Sequence, residues 1–113
     1  MKNRIPNRKV LDMSSEEIII QTDNVKVRVI ELQAGEQGPF HFHTEVTDNM
    51  FGISGEITVS KKNPVETVIL KPGMRCSLEP GRVHRVSNGH CSAHSEYLLI
   101  QGIGTYDFIR EKT

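Results

Sequence analysis

The chain has 113 residues and a mass of 12.7 kDa, which suits one domain built on one hydrophobic core. Its 14 basic and 14 acidic residues give a formal net charge of zero, which removes the electrostatic case for nucleic acid or an anionic membrane as a partner. The hydrophobic fraction is only 36%, so part of the apolar burial is expected to come from a partner subunit.

Taken in chain order, MKNRIPNRKVLD is basic and has no apolar segment behind it, so neither a signal peptide nor a membrane anchor is expected there. Residues 1–16 are expected to form an arm, followed by one domain over 17–113. LDMSSEE, residues 11–17, is the one place that could hold a helical turn, with Ser14 as its cap. The apolar run in EEIIIQ is far too short to cross a bilayer.

From Glu17 onward strand signals dominate. In NVKVRVIEL, Val25, Val27 and Val29 point one way and Lys26, Arg28 and Ile30 the other. EITVS, ETVILK, MRCSLE, RVHRVS and EYLLIQ repeat the pattern of short β-rich runs, and GIGTYDFIREK reads as a final strand with Tyr106 and Phe108 on one face. Turn chemistry separates the runs at Ala34-Gly35, Ser54-Gly55, Asn63-Pro64, Lys71-Pro72-Gly73, Glu79-Pro80-Gly81 and Asn88-Gly89. Eight or more short strands in so short a chain predict an all-β antiparallel sandwich or small barrel. The two cysteines, Cys76 and Cys91, make no disulfide framework and suit a reduced, cytoplasmic protein.

His41 and His43 share strand parity, which places their Cα atoms roughly 6.5–7 Å apart on one face, close enough for two imidazoles to converge on one ion. HxH alone also fits two polar residues on a half-exposed strand with Phe40 and Phe42 in the core. Two carboxylates follow. Glu45 shares the histidine face if the strand runs straight on; Asp48 does so if Thr47-Asp48-Asn49 is a turn that resets parity, after which Asp48, Met50 and Gly52 alternate together. Spacing leaves both open. His84 begins a strand after Pro80-Gly81, with Val86 on its own face.

These stretches resemble the paired motifs of the cupin superfamily. The first family motif runs G, five residues, HxH, three or four residues, E, six residues, G. Here it reads Gly35, His41-Phe42-His43, Asp48, Gly55, with every spacing kept and Asp in the place of Glu. The second runs G, five residues, PxG, two residues, H, three residues, N, and here reads Gly73, Glu79-Pro80-Gly81, His84, Asn88, with Glu79 where the first proline is usual. The resemblance extends over residues 24–101. It implies a double-stranded β-helix, or jelly roll, holding one divalent transition metal (Fe, Mn, Ni, Co or Zn) on His41, His43, His84 and Asp48. Asp48 is one methylene shorter than the usual Glu, so Glu45 stays as the alternative carboxylate.

Other residues have plainer readings. His90-Cys91-Ser92-Ala93-His94 reads as a solvated loop rather than a zinc site, which needs four closed ligands. Cys76 shares parity with Leu78 and reads as core, or as a pocket-lining thiol. Arg82 shares the parity of His84 and is placed near the barrel mouth, where a guanidinium could hold a carboxylate or phosphate. Met50, Val86, Tyr97 and Leu99 are expected to line the pocket. The resulting functional expectation is a small metal-dependent enzyme, dioxygenase-like, acting on a small organic molecule. A metal-dependent sugar or keto-acid isomerase and a non-catalytic binding or sensing module are the alternatives.

Overall fold

The computed structural model describes residues 14–89 and 93–112. Among them the alternating runs form ten strands: β1 (Ser14–Gln21), β2 (Val25–Leu32), β3 (His41–Phe42), β4 (Thr47–Ser54), β5 (Ile57–Lys61), β6 (Glu66–Leu70), β7 (Arg75–Leu78), β8 (His84–Ser87), β9 (Ser95–Gly102) and β10 (Ile109–Arg110). They make two five-stranded antiparallel sheets, ordered β1-β2-β9-β4-β7 and β10-β3-β8-β5-β6. The fold is all-β, the double-stranded β-helix, and no helix among the described residues is long and apolar enough to cross a membrane.

Strand alternation fixes which residues share a face, and burial decides which face turns inward. On β2 the buried set is Arg28, Ile30 and Leu32, while Val25, Val27 and Val29 lie half-buried on the outside. Register then builds rows across the inner face of the first sheet: Ile30 opposite Tyr97, Arg28 opposite Leu99 opposite Met50 opposite Cys76, and Lys26 opposite Gln101 opposite Asp48 opposite Leu78. The second sheet contributes Ile57, Val59, Leu70 and Val86 from the other side. Each large apolar side chain wholly buried there stabilises the fold by about 1.5–3 kcal/mol.

Two glycines of the paired motifs have clear structural work. Gly81 adopts φ +84 in the turn before β8, and its N–H donates to the His43 carbonyl at 2.8 Å, so the second motif is tied to the first. Gly55 adopts φ +67, and a Cβ there would stand 2.3 Å from Ser95 Oγ. Asn88 is fully buried and donates to the carbonyls of Leu32 and Ala93, at 3.1 and 2.9 Å, joining the end of β2 to the segment before β9.

Three local expectations are corrected. The helical turn over 11–17 with a Ser14 cap is instead strand from Ser14 on, because Ser14 to Gln21 pairs along β2; residues 11–13 lie outside the described residues. The parity reset before Asp48 falls at Thr44-Glu45, and Thr47-Asp48-Asn49 is already strand. The tail is not one long strand: among its described residues only Ile109–Arg110 pairs, with β3, and the stretch before it carries Tyr106 and Phe108 over the histidines. His90, Cys91 and Ser92 lie outside the described residues.

Candidate metal centre

His41 on β3 and His84 on β8 are direct cross-strand partners in the second sheet. His43, one residue past β3, joins them, with ring centroids 5.0 Å (His41–His43), 4.4 Å (His41–His84) and 5.5 Å (His43–His84) apart. One ring nitrogen of each lies within 4.8 Å of the other two. His43 and His84 are buried and His41 is half-buried.

A backbone carbonyl holds each ring from behind. Nδ1 of His41 donates to Pro39 at 3.0 Å, that of His43 to Asp107 at 2.5 Å, and that of His84 to Arg82 at 2.8 Å. A carbonyl only accepts, so the proton is on Nδ1 in all three rings and Nε2 is the nitrogen left to ligate. Asp107 also clamps the bend after His43, its carboxylate accepting from Thr44 N at 2.9 Å and from Thr44 Oγ1 at 2.5 Å.

Asp48 enters from the opposite sheet. Its Oδ2 lies 3.1 Å from His84 Nε2 and 3.2 Å from His43 Nε2, and its Oδ1 accepts from Gln101 Nε2 at 2.9 Å. His43 Nε2 is buried and off the line of any hydrogen bond. An unprotonated Nε2 and a carboxylate oxygen are both acceptors, so their approach calls for a cation, either a proton or a metal ion. Two ligands at right angles on bonds of about 2.1 Å stand about 3 Å apart, close to the separation found here. Three imidazoles and one carboxylate therefore fit a divalent transition metal.

The electrostatics run the same way. Burial by itself would raise the Asp48 carboxyl, but contact with His43 and His84 and the Gln101 amide outweigh it and hold the group well below the usual carboxylate range. Burial opposes a charge on His43, yet the Asp48 carboxylate beside it raises its pKa above the ordinary value. His41, farther from Asp48, is dominated by burial and falls from 6.5 to about 4, with its two histidine neighbours adding to the drop.

The cluster opens onto a cavity of about 460 Å³, within the range of small-molecule sites. Met50, Val86, Tyr97 and Leu99 line it, together with Ile30 and Leu32. Burial pushes the Tyr97 phenol well above its usual range, so it is a neutral hydroxyl there. Cys76 and Arg82 are not among the lining residues. Cys76 packs in the core beside Met50 in register, and burial raises its thiol, which makes it a poor nucleophile. Arg82 precedes β8 rather than lying on it and turns to the β5–β6 hairpin, donating to the carbonyls of Lys62 and Pro64 and to Glu66. Glu45 is exposed and accepts from Thr105 N at 3.0 Å, away from the three rings.

Sequence reasoning missed Gln101, Glu16 and the role of Arg28 in the cavity wall. The signal was present for two of them. Gln101 shares parity with Tyr97 and Leu99, and Arg28 with Ile30 and Leu32, so each is a polar residue on an otherwise apolar inward face. Phe108 stacks on His41, with centroids 4.0 Å apart, and Tyr106 leans over His43 at 5.5 Å.

The sequence profile described as Cupin domain (Cupin_2) matches residues 28–100, well over half the chain. Among curated proteins none matches. Among solved structures, a Klebsiella pneumoniae protein described as having a double-stranded beta-helix domain is 24% identical, with a TM-score of 0.77 over 96% of this chain and 90% of its own. An oxalate oxidase is similar at 14% identity and TM-score 0.74, over 88% of this chain and 55% of its own. A sugar phosphate isomerase of the cupin superfamily from Silicibacter pomeroyi gives 14% and 0.70, over 89% and 78%. At these identities the likenesses establish the fold, and with the profile match and the two histidine motifs the chain belongs to the cupin domain family.

Proposed function

We propose that the chain is a small metal-dependent cupin enzyme acting on a small organic molecule, with oxidoreductase, dioxygenase-like chemistry as the leading class. The observation behind this reading is the convergence of three Nδ1-anchored histidines and Asp48 at the wall of a cavity of about 460 Å³. His41, His43, His84 and Asp48 would hold the ion, which when bound supplies Lewis-acid or redox chemistry at positions the protein leaves open. Gln101 fixes the Asp48 carboxylate by donating to Oδ1, and the three carbonyls fix the rings. Ile30, Leu32, Met50, Val86 and Leu99 exclude water and hold apolar parts of a substrate.

A non-catalytic binding module is the second reading. It is favoured by one observation: among the described residues outside the metal cluster, the only carboxylate lining the cavity is Glu16, already spent on Arg28 at 2.6 Å rather than free as a general base. A sugar or keto-acid isomerase would use the same ligands without oxygen. We further propose that the protein acts in the cytoplasm as a homodimer, paired through the outer face of the β1-β2-β9 sheet, where Ile20, opposite Val27, and its neighbour Ile19 are each about half exposed beside half-buried Val29, Leu98 and Ile100. Light scattering on the eluting protein would return a monomer mass if that pairing is wrong.

The deciding experiment is elemental analysis of anaerobically purified protein beside His41→Ala, His84→Ala, Asp48→Ala and Glu45→Ala. Near-stoichiometric metal, lost with the histidines and Asp48 and kept in Glu45→Ala, is expected. Oxygen uptake or its absence during turnover then separates the oxidoreductase from the isomerase. Protein that neither carries nor accepts metal overturns the enzyme reading.

A further inference from the structure

Arg28 is out of place for a structural residue. It sits on the inner face of β2, in the row with Leu99 and Met50, and is 92% buried at 8% exposure. A cation so enclosed costs several kcal/mol unless its donors are met. Nη1 donates to Glu16 at 2.6 Å and Nη2 donates to Gln101 Oε1, while the buried Nε–H has no partner. Of the five N–H donors of a guanidinium, then, at least one is unspent, on a side chain that lines the cavity.

Its principal counter-charge is loosely held. The Glu16 side chain is 41% exposed, on the edge strand β1, so an entering anion can displace it at small cost. Among the described residues, apart from the metal cluster, the charged residues lining the cavity are Glu16, Arg28 and Arg110, an excess of one positive charge. Lys26 adds a further cation at the rim, its Nζ 4.6 Å from the centre of the cavity-lining Tyr106 ring. Arg28 is also linked to the metal cluster: Gln101 accepts from Arg28 through Oε1 and donates to Asp48 through Nε2 at 2.9 Å. Hence a molecule held by Arg28 lies one side chain away from the cluster.

We propose that Arg28 is the anion receptor of the cavity, and that the ligand is a small organic carboxylate whose acid group binds the guanidinium while the rest of the molecule extends along the apolar wall toward the histidines. This deepens the reading of the cavity as a ligand site and does not depend on the metal. A carboxylate is favoured over a phosphate because the one enclosed cation, Arg28, is shared with Glu16 and matches one negative charge, whereas Arg110 is exposed and Lys26 half-buried, and the surrounding Ile30, Leu32, Val86 and Leu99 suit a carbon chain.

The test compares acids with their amides: acetate, butyrate, benzoate and 2-oxobutyrate against the corresponding amides, with inorganic phosphate as a separate probe, by calorimetry and NMR titration. Wild-type protein is titrated both metal-loaded and metal-free, beside Arg28→Met and Glu16→Gln. At least one acid should bind at least about tenfold tighter than its amide, with or without metal, and tighter than phosphate. Arg28→Met should bring acid and amide to parity. Glu16→Gln keeps the guanidinium and removes its competitor, so it should bind the acid more tightly even if Arg28→Met does not fold. Equal binding of acid and amide by the wild type, binding of phosphate alone, no binding by any acid at millimolar concentration, or weaker acid binding in Glu16→Gln would each overturn the proposal. Loss of metal content with acid preference intact would refute only the metal reading.

Discussion

Metal-free protein should be most stable near pH 6.5 and lose stability on both sides, for two opposite reasons within one cluster. His41 takes up its proton only near pH 4 in the folded chain, against 6.5 when unfolded. Between those values the unfolded chain holds more protons, so stability falls as pH drops from 6.5 to 4. At about 1.36 kcal/mol per pH unit the gap corresponds to about 3 kcal/mol, and water reaching the half-buried ring lowers this to about 2 kcal/mol. His43 is raised, so the folded chain holds a proton that the unfolded chain gives up above 6.5. Its contribution is complete below 6.5 and disappears as pH rises through the folded value. For a domain of this size the acid limb amounts to a melting-temperature loss of about 8–10 °C. Thermal unfolding of chelator-treated protein, followed by circular dichroism from pH 4 to 9, reads both limbs. His41→Gln should flatten the acid limb and keep the alkaline one, while Asp48→Asn, which removes the carboxylate that raises His43, should do the reverse. An acid limb unchanged in His41→Gln would refute the assignment of that limb to the buried ring.

Further outcomes follow from the same geometry. Adding Zn(II) at about a thousandfold over its dissociation constant should stabilise the wild type by about 4 kcal/mol in urea unfolding, and leave His84→Ala unmoved. Asp107→Ala, which frees the Thr44 bend beside His43, should weaken metal affinity about tenfold in a competitive chelator titration while preserving the three ligating rings. Gly55→Ala puts a Cβ 2.3 Å from Ser95 Oγ on a backbone at φ +67, and should cost about 2 kcal/mol or more by chemical denaturation; a cost below about 0.5 kcal/mol would contradict the close packing there.

Local pattern carried a good deal of this protein's architecture. Period-2 runs and glycine- or proline-marked turns are properties of adjacent residues, so the all-β class and most strands were legible, as was the convergence of His41 with His43, which needs only strand parity. His84 was legible only through the spacing of the paired motifs, because its approach to His41 is a cross-strand register set by residues more than 40 positions away in sequence. Local signals misled where tertiary pairing overrode them. The Ser14 region has cap chemistry, yet an edge beside β2 offered a full ladder of backbone partners. Arg82 has the parity of His84, yet the carbonyls of Lys62 and Pro64 captured its guanidinium.

By itself the sequence determined a small β-strand domain with two histidine motifs, because alternation, turn residues and motif spacing are local and survive any arrangement of the sheets. Parity alone left Glu45 and Asp48 level as carboxylates, since it depends on where the chain bends, and motif spacing favoured Asp48. Their places are tertiary: the bend at Thr44-Glu45 sends Glu45 to Thr105 and solvent, and pairing of β4 with β9 brings Asp48 between Gln101 and the two buried rings. The same register turned Arg28, one of several charges in an alternating run, into a buried cation facing the cavity. Which side of a strand meets the core is settled by long-range burial, and no pattern of neighbouring residues contains it.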